Sequence, residues 1–380
     1  MKRFDSCHYL KKDTVPVGGD SLTVWDATQP IDDQWDAFLA STPFGHFYQT
    51  SKWARARVLD GWKSWITVIT REDEIIAGFQ ILWRVKSPVG KVGLLLKGPV
   101  IASDDPQMIA HVISVLKRSA QTNRLKALVI QPPDKGEQID LSLRQQGFSS
   151  SYFNSTIKNN TVLIDLRGSE EEIFKRIKRT KRQNINTAIR KGITVRQGDK
   201  EDLETFFTFM TETCKRQQVL PSPSNIDFLY TLWDLFSPGG NITLFLAEYE
   251  GEVVTCLIVL TLGGTAYLWK FGWSGKHAKL YPNILIYWEI FKWAKAHGFH
   301  FADLGTISPG LAQRIWNGDT ATEEMSKTYS YMKTCFGGDV VPLSKGFVYI
   351  PNVFLRTAYN ILMPLIIKSP VLSRKLLFER

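Results

Sequence analysis

The sequence predicts two compact mixed α/β domains of one plan, arranged in tandem, and three observations carry that expectation. First, ITREDEIIAGFQIL, beginning at Ile69, reads as strand, acidic turn at 72–74 and strand, and AEYEGEVVTCLIVL repeats it with Glu252 in the place of Glu74, an offset of 178 residues. Second, both copies continue in the same order, through a further strand, a long helix and a short apolar strand. Third, this period is far longer than the roughly 20–50 residues of a solenoid repeat, so it describes two separately packed cores rather than a stack.

In chain order the first copy continues with a strand at 90–96, a helix at 106–121 that opens on Pro106, and a strand at 126–131. The second continues with a strand at 265–271, a helix at 282–297 that opens on Pro282, and a strand at 300–304. The expected division is 1–166, joined by the C-terminal segment 339–380, and 167–338. Alternation in VVPLSKGFVYI, residues 340–350, suits an added strand returning to the first domain. A large substrate is expected in the cleft between two such halves.

A chain of 380 residues, 44% hydrophobic and 22% charged, has the composition of a soluble globular protein with room for two cores. Cys7, Cys214, Cys256 and Cys335 stand far apart without CxxC spacing, so neither a zinc site nor a disulfide framework is indicated. His46, His111, His277, His297 and His300 show no metal spacing, and no cofactor is expected. MKRFDSCHYLKKD lacks the apolar run of a signal peptide and no stretch reads as a membrane span, so the expected place is the cytoplasm.

The net charge is +10, and eight of the cations lie between Lys175 and Lys191. They are Lys175, Arg176, Lys178, Arg179, Lys181, Arg182, Arg190 and Lys191, in a stretch that opens as SEEE at Ser169. Ser169 with Glu172 has capping-box spacing, acids occupy the first turn, and Gly192 ends the run. Ile173, Ile177, Ile185, Ala188 and Ile189 supply a packed face, with a break expected near Thr180. The cationic remainder is either a solvated connecting surface or one that receives phosphates of a nucleotide-linked substrate, RNA or anionic lipid. Eight like charges so close together repel one another unless an anion is present for part of the cycle, which favours the second reading.

Five segments stand out along the two copies: GHFYQTSKWARA from Gly45, LLLKGPVI from Leu94, RQNINTAIRKG from Arg182, PNILIYWEIFKWAKAHGFHFADLG from Pro282 and YSYMKTCFGG from Tyr329. With the order strand, turn, strand, strand, helix, strand, which is the plan of the GNAT acyltransferase fold, this tandem chain resembles the Fem family of peptidoglycan interpeptide-bridge aminoacyltransferases and the related FemAB-like acyltransferases. The resemblance implies that the second domain, with Lys333, forms the reaction centre, while the basic motif and the first domain hold the acceptor. Met332 stands where the family has an aromatic residue. The second half has no long heptad-bearing insertion, so no coiled-coil arm is expected.

GNAT enzymes that use acyl-CoA hold its pyrophosphate on bare amides at a glycine-rich turn before the long helix. Here that turn reads GKHAKLYPN from Gly275, without a further glycine, and its first-half counterpart ASDDPQ from Ala102 carries two carboxylates. The weight therefore moves to a donor gripped by side chains, such as an aminoacyl-tRNA. Lys333 is the expected electrostatic group and Asp303, at the end of a buried strand, is either an orienting group or base, or a cap on the following turn. Lys181 and Arg182 are expected to bind the acceptor. Tyr329 and Tyr331 are candidate cleft residues that share a face only if their stretch is a strand.

From Val348 onwards, bulky apolar residues mix with Arg356, Lys368, Arg374, Lys375 and Arg380, and Pro351, Pro364 and Pro370 are expected to divide the stretch into short helices. These either pack on the first domain or insert shallowly at an anionic membrane face. The expected function is amide formation by transfer of an activated aminoacyl or acyl group to an amine of a nucleotide- or lipid-linked cell-envelope precursor. Two alternatives stand beside it: an N-acyltransferase using acyl-CoA or acyl carrier protein on an amino sugar or amino acid, and a non-catalytic basic protein that binds RNA or membranes.

Overall fold

The computed structural model describes residues 3–134, 136–152 and 157–368. The chain forms two compact units, Met1–Asn159 with Leu343–Arg380, and Asn160–Pro342. In the first unit the sheet order is Tyr9–Val17, Asp20–Ala27, Lys63–Arg71, Glu74–Lys86, Gly90–Leu96, Ala127–Gln131, Phe347–Tyr349 and Ser149–Ser150. In the second it is Thr194–Gln197, Ile242–Tyr249, Glu252–Leu262, Thr265–Trp273, Phe301–Asp303, Asn160–Asp165 and Asp339–Pro342.

The internal repeat extends to a backbone irregularity. In the first hairpin the register shifts between Ile69 and Thr70, and in the second between Ala247 and Glu248. These positions differ by the same 178 residues that separate Glu74 from Glu252, so the bulge recurs at one place in both copies. Both turns pass through the left-handed region, at Glu72 (φ 52°) and at Glu250 (φ 52°), as two-residue hairpin turns require. Each copy then forms a parallel pair across a helical crossover: Gly90–Leu96 beside Ala127–Gln131 through Pro106–Thr122, and Thr265–Trp273 beside Phe301–Asp303 through Pro282–Ala296. The apolar faces of these helices meet their own sheets, with Val112, Ile113 and Leu116 in one core and Ile286, Ile290 and Phe291 in the other.

Asn160–Asp165, placed before residue 166 by the sequence reading, pairs in the second sheet with Phe301–Asp303 and Asp339–Pro342. Phe347–Tyr349 instead pairs with Ala127–Gln131 in the first sheet. The alternating stretch 340–350 therefore divides between two sheets. In the first unit, two of the quoted motifs meet: Gln49 donates to Leu96 O (2.8 Å) and accepts from Gln80 N (2.9 Å). The Lys97 ammonium, buried beside them, pairs with Asp134 at 2.7 Å.

Near the C-terminus one helix, Val353–Lys368, runs through Pro364 rather than ending before it. A proline inside a helix removes the hydrogen bond its own N–H would have made and crowds the carbonyl of the preceding turn, a cost this helix bears without ending. Residues 369–380, including Pro370, Arg374, Lys375 and Arg380, lie outside the described residues.

Candidate active site

The strand Phe301–Asp303 delivers its last residue to a turn that the neighbouring strand holds in place. Asp303 Oδ1 accepts from Gly305 N at 2.7 Å and from the Thr161 hydroxyl. Asn160 adds a reciprocal pair, its amide nitrogen donating to Ile307 O (3.2 Å) and its amide oxygen accepting from Ile307 N (2.9 Å). Gly305, at φ 72°, takes the left-handed conformation this tight turn needs. The carboxylate at the strand end is thus a cap on the turn 303–307, one of the two roles its position allowed.

Lys333 closes over this turn from the helix Tyr329–Thr334, whose N-cap Thr328 accepts from Tyr331 N. Lys333 is 9% exposed. Its Nζ donates to Thr306 O at 3.0 Å and lies 5.0 Å from the centre of the Tyr329 ring. Burial pushes the lysine down, to about 8, and outweighs the nearby Asp303 carboxylate, which acts in the opposite direction. The Tyr329 ring keeps 37% exposure. Its hydroxyl reaches inward to that of Tyr287, and burial pushes the phenol up, to about 12.

The basic stretch arrives at the other side of the same short helix. Ser169 and Glu172 form the capping box that opens the helix Glu170–Arg176, and the cationic helix Arg179–Arg190 follows after a break at Ile177 and Lys178 rather than near Thr180. The break is fixed by contacts outside the helix: Lys178 N donates to Cys335 O at 2.9 Å. Lys178 Nζ reaches Tyr331 Oη at 3.1 Å and lies 4.7 Å from that ring's centre. Ile173, Ile177, Ile185 and Ala188 are buried as expected, whereas Ile189 is 52% exposed. Among the described residues, Lys175 with Glu171 is the one ion pair formed by the eight cations.

Lys333, Asp303 and Tyr329 are therefore brought together. Tyr331, on a helix rather than a strand, turns away from Tyr329 to meet Lys178. Lys181 is half-buried and near enough to Cys335, with Lys178, to oppose the upward push of burial on that thiol. Arg182 is turned back, its guanidinium donating to Lys175 O (2.5 Å) and Ile177 O (3.0 Å), so it caps the end of the preceding helix. Tyr287 and Lys178 were not singled out in the sequence, because one reads as a core aromatic and the other as one cation among eight. The Thr306 carbonyl, being backbone, leaves no side-chain signature. Among the described residues no cluster of three or more His, Cys, Asp or Glu could hold a metal ion.

Since burial lowers the Lys333 pKa and Asp303 opposes that effect, Asp303→Asn is expected to lower it further. Titration of the Lys333 side chain by NMR in the folded variant checks this; an unmoved or raised midpoint would separate the two groups electrostatically.

Comparison with known proteins gives one family and a set of relatives. A model of the FemAB family matches residues 31–252. The lipid II:glycine glycyltransferase of Staphylococcus saprophyticus is 25% identical over 59% of this chain and 56% of its own length. The enzyme of the same name from Staphylococcus aureus is 26% identical over 57% of this chain and 53% of its own. The chain thus spans about half the length of these curated relatives. Among solved structures, a crystal structure of FemX superposes with a TM-score of 0.74 at 19% identity, covering 87% of this chain and 98% of that one. A tandem GNAT protein from the clavulanic acid biosynthesis pathway superposes with a TM-score of 0.52 at 9% identity, covering 86% and 98%. At those identities the superpositions show the fold: two GNAT-like domains in tandem.

Proposed function

Because the chain belongs to the FemAB family, we propose that it forms an amide by moving an aminoacyl group from tRNA to an amine of a lipid-linked cell-wall precursor. The observation that carries this reading is the buried Lys333 ammonium at the turn 303–307, on a short helix that the basic segment also meets. The two staphylococcal relatives, named for transfer of glycine to lipid II, support the class of acceptor.

In aminolysis of an ester, the acceptor nitrogen attacks the carbonyl carbon and negative charge develops on its oxygen. The ester C–O bond then breaks, and the proton lost by nitrogen balances the one gained by the departing ribose oxygen. An ammonium has three N–H donors. Lys333 uses one on Thr306 O, leaving two for the developing oxyanion or the leaving oxygen, in a site where burial strengthens their effect. With a pKa near 8 the group is mostly charged at neutral pH. Asp303 positions the turn and favours that charge; its engagement with Gly305 and Thr161 suits this better than proton abstraction.

Both helix starts that could cradle a CoA pyrophosphate are otherwise arranged. The Asp105 carboxylate accepts from Gln107 N at the first, and the second opens on Pro282, which has no N–H to offer. A donor held by side chains fits these termini, as does an acceptor pyrophosphate held by Lys181. The discriminating experiment supplies the purified protein with charged tRNA or acyl-CoA and a lipid-linked, amine-bearing precursor. Product is expected with the tRNA alone; product with acyl-CoA alone would overturn the donor assignment.

Lys181 and Arg182 are expected to separate on mutation. Lys181→Gln should raise the acceptor KM and flatten its salt dependence at a stability cost under about 1 kcal/mol, since glutamine keeps much of the half-buried stem. Arg182→Gln should cost about 1–2 kcal/mol of stability through its lost carbonyl contacts. Thermal melts beside acceptor titrations at two salt concentrations check both; equal effects of the two changes on stability and KM would contradict the division.

A further inference from the structure

The helix Val353–Lys368 presents to solvent a face that soluble proteins ordinarily cover. Phe354 is 81% exposed, Leu355 58%, Ile361 60%, Leu362 52% and Leu365 61%. At 100° per residue, these five positions and Ala358 fall within a sector about 120° wide, one continuous apolar stripe. The helix is anchored from beside this stripe: Tyr359, about 40° beyond its edge, donates through Oη to Ser150 O at 3.2 Å and accepts from Tyr152 N at 3.2 Å. The helix is thus fixed to its unit with its apolar face turned outward.

Charge and size indicate what covers that face. Between Asp339 and Glu379 the sequence contains no acidic residue, while Lys345, Arg356, Lys368, Arg374 and Lys375 are all basic. An anionic surface meets no repulsion here. From Phe354 to Leu365 the stripe is roughly 16 Å long, and its five side chains at those exposures offer on the order of 500 Å², short of the ~800 Å² per partner of a stable protein interface. A lipid interface requires no such matched area; apolar side chains at acyl depth and cations at headgroup level are enough. Among the described residues no helix is long and apolar enough to cross a membrane, which leaves the helix lying in the surface.

We propose that Val353–Lys368 is an interfacial anchor that lies along an anionic lipid bilayer, with Phe354, Leu355, Ile361, Leu362 and Leu365 among the outer acyl segments. This anchoring follows from the exposure and charge of the helix and does not depend on the reaction assigned above. Its consequence for that reaction is that a lipid-linked acceptor would be met in two dimensions.

The test is co-sedimentation of the full-length protein with vesicles of phosphatidylcholine alone or mixed with phosphatidylglycerol, with no donor or acceptor present. Binding is expected to the anionic vesicles, weakened by salt, and reduced on the order of tenfold or more in Ile361→Asn/Leu365→Asn. Both positions are exposed, so the variant is expected to keep the wild-type melting temperature, and its transfer to a water-soluble acceptor should be unchanged. Wild-type protein that stays in the supernatant with both vesicle types would overturn the proposal. So would binding that the variant retains, or a wild-type dimer that the variant dissociates without any vesicle binding. Because the vesicles contain no substrate, each of these failures leaves the assignment of the reaction intact.

Discussion

Lys333→Met is expected to lower turnover by on the order of 100-fold to 1000-fold, the cost of removing one donor from a preorganised charge-stabilising site. Acceptor and donor affinities should change little if the ammonium acts on charge that exists only in the transition state. Methionine keeps most of the stem in a position that is 9% exposed, so the fold should survive. Stability gives an independent sign. The folded lysine titrates near 8 against an ordinary value of 10.5, so between those values the unfolded chain holds a proton that the folded chain has lost. Wild-type stability should then rise relative to the methionine variant by about 1.4 kcal/mol per pH unit across that window. Below it the ammonium's full desolvation cost remains. Calorimetry at several pH values checks this; parallel stability curves would mean that the lysine is not desolvated in the folded protein.

Gly337→Ala is expected to produce a large loss of stability. Gly337 has φ 79°, and a Cβ there would stand 2.4 Å from Arg176 O and 2.6 Å from Arg176 C. Both are backbone atoms of the helix that precedes the basic one, so neither can swing aside. Left-handed strain and forced displacement together should cost about 3–5 kcal/mol, lowering the melting temperature by on the order of 10 °C. The next residue is equally confined: a Cβ on Gly338 would meet Leu163 O at 2.6 Å. This pair lets the Lys333 helix pack between the basic segment and the strand that holds the Asp303 turn. Partial unfolding of the variant should therefore reach activity as well. A melting temperature within about 2 °C of wild type would show that the packing relaxes without cost.

The two-domain plan was legible because the repeat preserves its apolar pattern and turn, down to a bulge that no residue type announces. Other elements were less visible for physical reasons. The edge hairpin Tyr9–Val17 and Asp20–Ala27 buries little, so its alternation is weak although Gly18 and Gly19 mark its turn. The basic helix breaks where Lys178 N meets Cys335 O, a contact 157 positions away that no local propensity encodes. Ile189 satisfies helical spacing yet is 52% exposed, because spacing places a residue on a face without fixing what packs over it. For the site, a lysine and a carboxylate could be named from their motifs, whereas Arg182 as a cap and Tyr287 as the partner of Tyr329 follow from packing alone.

The most direct test of Lys333 as a charged group at the reaction centre is a single-turnover transfer rate, measured from about pH 6 to about pH 9.5 for wild type and Lys333→Met with charged tRNA and a lipid-linked precursor. Dividing the two rates at each pH removes the acceptor amine's own ionisation, which both proteins share. If the ammonium stabilises the transition state, the ratio should hold steady up to pH about 8 and then fall about tenfold per pH unit. A ratio that climbs through that range would make neutral lysine the active form, and a ratio near one throughout would remove Lys333 from the reaction.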